Sequence, residues 1–138
     1  MIGAEPAALC ADHEPVMAEV NVIRQGNLIH ATYRGAMTMD LVRDAQRQIE
    51  TLLNTTPDAR VLYDTLEMEP PSMQLALEMK AFDARVQPRV VRSATLVPDA
   101  MTAFMAKVAF ALSRDHKVFY NDREKALEWL GVQPAVTV

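Results

Sequence analysis

The chain predicts a single α/β domain, a mixed five-stranded sheet carrying about four helices in the order β-β-α-β-α-β-α-β-α. Three observations carry that expectation. A Gln25–Gly26–Asn27 turn signal separates two runs of strand character. Beyond it, short β-rich runs alternate with apolar stripes at helical spacing. The chain has 138 residues, 50% of them hydrophobic and 23% charged, enough to bury one core without a disulfide or a metal.

The elements follow in order. Met1–Pro15 mixes Ala, Pro, Glu and Asp and reads as a flexible arm, leaving residues 16–131 for the domain and 132–138 for a tail. Val16–Arg24 reads as a strand through Met17, Val20 and Val22. Leu28–Arg34 is its hairpin partner, with Leu28, His30 and Thr32 on one face and Ile29, Ala31 and Tyr33 on the other. Thr38 or Asp40 caps a helix whose stripe is Leu41, Val42, Ala45, Ile49, Leu52 and Leu53. Pro57 blocks its continuation, and Arg60–Thr65 is a buried, parallel-type strand.

Glu67–Pro71 reads as a stiff loop, and Ser72 is a natural N-cap for a helix to about Val86. Leu75, Met79, Phe82 and Val86 make its stripe, widened by Met73, Ala76 and Leu77. Val90–Val97 is a fourth strand, and Pro98 and Asp99 open a third helix, Ala100–Ser113, apolar around much of its girth. Lys117–Tyr120 is the last strand. Asn121 or Asp122 caps Arg123–Leu130, and Gly131 stops it.

Three stretches resemble the STAS-like (SpoIIAA-like) bacterial family. They are Val61–Asp64, a strand ending in Asp; Val91–Val97; and Val118–Leu130, whose Phe119, Asp122, Ala126, Trp129 and Leu130 match the family's closing strand and helix. The likeness covers about residues 16–131. It implies a five-stranded mixed sheet with helices mainly on one face, and regulatory binding modules rather than enzymes. Some relatives are thought to hold lipids near mobile middle helices.

Function is sought first at the Asp64–Ser72 segment, because ligands and partners favour the C-terminal ends of strands in open α/β sheets. A phosphorylated Ser72 would suit a helix N-terminus electrostatically. The resemblance implies a phosphorylated Ser near this place, usually in an Asp-Ser-Ser/Gly-like context. Here the run is Pro70-Pro71-Ser72-Met73, without the acidic neighbour or the glycine, and a plain N-cap is the simpler role. Glu67 and Glu69 read as solvated loop charges, or with Asp64 as a weak cation site.

The second candidate is methionine-rich. Nine methionines is high for this length, and Met68, Met73, Met79, Met101 and Met105 cluster in the middle helices and the loop before them. With Phe82, Phe104 and Val108 they form either ordinary core or an apolar surface for a partner helix or a lipid-like ligand.

Other chemistry is absent from the pattern. His13, His30 and His116 read as arm, hairpin and loop, without metal-ligand spacing. Ser93 and Ser113 have no local histidine to suggest a triad, and four scattered glycines make no phosphate loop. A formal charge of -4 argues against a nucleic-acid partner. Cys10 alone cannot form an internal disulfide, which fits a reducing cytoplasm, and no run approaches the roughly 18 apolar residues of a membrane span. The expectation is a non-catalytic, cofactor-free, cytoplasmic regulatory module. It acts through a protein partner, a second copy of itself included, or alternatively carries a small apolar or lipid ligand.

Overall fold

The computed structural model describes residues 17–99, 102, 105–107 and 114–132. The elements are β1 (Glu19–Gln25), β2 (Leu28–Gly35), α1 (Met39–Leu53), β3 (Ala59–Met68), α2 (Met73–Val86), a 3-10 turn (Gln87–Arg89), β4 (Val90–Val97), β5 (His116–Tyr120) and α3 (Arg123–Leu130). Between β4 and β5, residues 102 and 105–107 are helical, and the Thr102 amide donates to Asp99 Oδ1 at 2.8 Å. Most of the expected third helix, the arm at 1–15 and the tail after Val132 lie outside the described residues.

The sheet runs β1-β2-β3-β4-β5 in space. The β1–β2 hairpin is antiparallel, and the remaining neighbours are parallel. Gly26 makes the hairpin turn at φ 65, a left-handed conformation that costs glycine little. Each parallel step needs a crossover, and α1 and α2 supply the first two.

Local chemistry sets the helix ends. Thr38 Oγ1 accepts from the Leu41 amide at 3.2 Å and starts α1; Asp122 Oδ1 accepts from the Lys125 amide at 3.0 Å and starts α3. Gly131, at φ 76, ends α3.

Two apolar clusters lie on opposite faces of the sheet. Ile29, Ala31, Tyr33, Val61 and Tyr63 pack with Val42, Ala45 and Ile49 of α1 and with Phe82 and Val86 of α2. Leu28, Leu62, Ala94 and Leu96 pack with Ala126 and Leu130 of α3. The alternation of strand side chains divides these sets. Of the described α-helices, α1 and α2 cover one face and the closing helix covers the other, over β3 to β5.

Three expectations change. β3 runs on to Met68, because Glu67 and Met68 still pair with Arg34 and Gly35 of β2; the two prolines, not the acidic residues, end the strand. β5 begins one residue early and buries His116. Met73 and Leu77 do not widen the core stripe; they are 69% and 55% exposed.

Candidate functional site

The C-terminal half of β3 and the start of α2 form one continuous segment on the sheet's carboxyl side. Asp64 is buried in β3 and is reached from three directions. His30 Nε2 on β2 and Arg123 Nη2 on α3 each lie 3.0 Å from its Oδ2. Just beyond, β3 carries an irregularity opposite Tyr33, since Thr32 pairs with Asp64 but Arg34 pairs with Glu67. Asp64 Oδ1 takes the Leu66 amide at this break, at 3.2 Å. Burial alone would push this carboxyl up. The His30 hydrogen bond, the Leu66 amide and the Arg123 charge outweigh it and hold Asp64 below the usual carboxylate range.

Glu67 is exposed and pairs with Arg34 at 3.3 Å, and Arg34 also reaches Glu19 at 3.4 Å. On the α3 side of the sheet, the part of β1 and β2 that α3 leaves uncovered carries these charged side chains. A depression of about 380 Å³ there is lined by Glu19, Val20, Asn21, Thr32 and Arg34.

The connection to α2 is short: Glu69, Pro70, Pro71 and Ser72. Ser72 Oγ accepts from the Leu75 amide at 3.1 Å, so its side chain caps α2 while the residue stays exposed. Leu75 turns inward. Met73 and Leu77, four residues apart and so on one side of the helix, turn to solvent.

Of the candidate residues, Glu67, Ser72 and Met73 share this exposed rim, and Asp64 sits beneath it. Met68 and Met79 are partly buried against the main core, and Phe82 is sealed in it. Met105 is exposed, at 55%. Met101, Phe104 and Val108 lie outside the described residues. Among the described residues no cluster of His, Cys, Asp and Glu could hold a metal ion. None of their helices is long and apolar enough to cross a membrane.

The spacing of residues conceals a second polar cluster, and the readings of His116 as a loop residue and of Ser93 as lacking a histidine are corrected. His116 Nδ1 lies 2.6 Å from Ser93 Oγ and 3.2 Å from Asp83 Oδ2, and its Nε2 lies 2.9 Å from Thr95 Oγ1. Tyr63 donates its hydroxyl to Asp83 Oδ1 at 3.1 Å, and Gln87 Nε2 donates to Asp83 Oδ2 at 3.0 Å and to Ser93 Oγ at 2.9 Å. Burial raises the Asp83 carboxyl, but the His116 contact and the Gln87 and Ser93 hydrogen bonds outweigh it, so it sits below the usual value. Burial, then the Asp83 charge, push the Tyr63 phenol well up. Serine and carboxylate approach the same ring nitrogen, whereas nucleophile activation needs them on opposite ones. The cluster ties α2 to β3, β4 and β5. The one sequence signal for it was a group of polar residues at inward-facing strand positions.

The fold and this rim define a class, an open α/β module with a short loop leading from a central strand to a capped helix. The SpoIIAA-like family model matches residues 28–131, and the chain belongs to that family. A search of curated proteins found no match. Among solved structures, an uncharacterised protein with a SpoIIAA-like fold from Shewanella loihica PV-4 is similar, with a TM-score of 0.62 and 19% identity over 82% of this chain and 93% of that one. An anti-sigma factor antagonist from Mycobacterium paratuberculosis is similar at a TM-score of 0.60 and 10% identity, over 83% of this chain and 94% of that one.

Proposed function

We propose that the chain is a non-catalytic regulatory module that works through protein–protein contacts at the rim formed by Glu67, the Glu69–Ser72 connection and the first turns of α2. The observation that carries this reading is the outward pair Met73 and Leu77, large apolar side chains held in water beside an exposed, proline-stiffened loop. Exposed apolar side chains gain when a partner covers them, and methionine adapts to varied surfaces. The family membership and the fold shared with an anti-sigma factor antagonist support a regulatory role. The polar groups most suited to catalysis, Asp64, Asp83, Ser93 and His116, are engaged with one another or with neighbours in the core. A cytoplasmic setting fits a chain with a single cysteine.

A photo-crosslinking residue placed at Met73 or Leu77 tests this in cells. The expected result is a discrete adduct, with another protein or with a second copy of the chain, that is absent when the same group replaces exposed Lys125 on α3. Equal labelling at all three positions would remove the rim as an interface. Native mass spectrometry of the purified protein addresses the alternative, a carrier of a lipid or small apolar ligand between the middle helices, which predicts a retained ligand mass.

A further inference from the structure

The opposite end of the sheet holds a group of cations that the proposed interface does not use. Arg60 of β3 and Arg92 of β4 are direct partners across the parallel ladder. Like charges placed opposite each other on adjacent strands repel. The pairing is set by an irregularity: Ala59 pairs with Val90 but Arg60 pairs with Arg92, so Val91 is the extra residue and Arg92 is turned to face Arg60. Lys117 of β5 pairs with Ala94, two residues further along the same face. All three cations lie on the side covered by α3.

The C-terminal turn of α3 holds Arg92 and Lys117 in place. The Arg92 guanidinium lies 4.1 Å from the Trp129 ring centre and the Lys117 ammonium 4.4 Å from it. Arg92 Nη1 donates to the Trp129 carbonyl at 2.8 Å, and the indole N–H donates to the Ser93 carbonyl at 2.9 Å, which fixes the ring. Arg60 Nη1 donates to the Asp58 carbonyl at 3.1 Å, and its Nε is buried with no hydrogen-bond partner. Asp58 and Asp115 flank this end in the chain, yet no described carboxylate forms an ion pair with Arg60, Arg92 or Lys117. This occurs on a chain whose formal charge is -4.

We propose that Arg60, Arg92 and Lys117, the last two stacked on Trp129, form a binding site for a phosphate monoester group. The chemistry follows from the placement. Three cations on three adjacent strands span about 10 Å, since neighbouring strands lie about 4.8 Å apart. With the Arg92 and Lys117 charges both within 4.4 Å of one ring centre and Arg60 on the neighbouring strand, the group suits one compact dianion better than an extended acidic peptide, whose charges are spread along its length. Each guanidinium commits one N–H to a backbone carbonyl and keeps others for phosphate oxygens, and Lys117 adds a point charge. The bound anion relieves the Arg60–Arg92 repulsion. The group could be presented by a soluble metabolite or by a lipid headgroup.

Trp129 is the protein's one tryptophan, so its fluorescence reads the site directly. Glycerol 3-phosphate is titrated at constant ionic strength, with chloride as the control, and vesicles of phosphatidylcholine with and without phosphatidic acid are tested in parallel. The expected result is a saturable change in Trp129 emission with at least one phosphate probe, weakened tenfold or more in Lys117→Gln and in Arg60→Gln. Far-ultraviolet circular dichroism confirms that both variants fold. A response to the soluble ester assigns the source to metabolites, and a response to phosphatidic acid vesicles alone assigns it to lipid. No saturable response to either, an undiminished response in folded Lys117→Gln, or a response only to a glutamate-rich peptide overturns the proposal.

Discussion

The Asp83 carboxylate and the His116 imidazole meet 3.2 Å apart, with side chains 2% and 0% exposed, and so join α2 to the far edge strand inside the core. Removing one partner of such a pair leaves the other buried and uncompensated. Asp83→Ala also strips Tyr63 of its acceptor and Gln87 of one of its two. The expected cost is about 3–5 kcal/mol, measured by urea unfolding. A loss below about 1 kcal/mol would show that the cluster tolerates a missing member.

Both buried aspartates tie stability to pH in the same direction. Asp64 and Asp83 titrate below their ordinary value in the fold. Their contribution is fully present above the unfolded aspartate value of about 3.9 and is lost as pH falls through the lower folded values. Urea midpoints taken from neutral pH down to about pH 2 should drop most steeply below about pH 4 in the wild type. The slope should be shallower in Asp64→Asn.

Ser72 separates capping from charge. Ser72→Ala removes the acceptor for the Leu75 amide and should cost about 1 kcal/mol. Ser72→Asp keeps an acceptor and adds negative charge at a helix N-terminus, so its melting temperature should stay near that of the wild type. Equal losses in the two variants would contradict this account of the cap.

Within α2, one helical side should matter to partners and the other to folding. Met73→Glu and Leu77→Glu should change stability by no more than about 0.5 kcal/mol while abolishing crosslinks at the rim. Phe82→Ala should cost about 3–5 kcal/mol, since its ring is sealed in the main cluster. Chemical denaturation and crosslinking yield, measured on the same three variants, check both halves.

Gln46 of α1 is buried, and its side-chain amide nitrogen has no hydrogen-bond partner. A buried donor left unpaired costs about 1–3 kcal/mol. Gln46→Leu, close in volume and apolar, should therefore raise the urea midpoint; a lower midpoint would mean the amide has a role in the core.

Much of this architecture was legible residue by residue. β4 occupies Val90–Val97 as read from its β-rich run, Thr38, one of two candidates, caps the first helix, and Asp122, again one of two, and Gly131 bound the last. These features depend on neighbours within about four positions, where backbone conformation and capping chemistry act. The end of β3 lies beyond its sequence reading because acidic residues read as loop, while an outer position of a paired strand tolerates them when an arginine such as Arg34 lies opposite. Met73 and Leu77 read as part of the core stripe because helical spacing groups apolar residues without saying which side the sheet will take.

The polar clusters were not legible. Ser93 and His116 stand 23 positions apart, and Asp64 and Arg123 stand 59 apart. Their contact depends on strand order, on register and on two irregularities that move a side chain by one place, and no local propensity encodes those. The amino-acid order alone determined the hairpin and the alternation of strands with helices and narrowed the helix caps to one or two residues each, because these are short-range preferences of the backbone. Only the folded sheet decided which faces the helices cover, which apolar side chains remain outside and which charges meet, because burial and ion pairing arise between segments far apart in the chain.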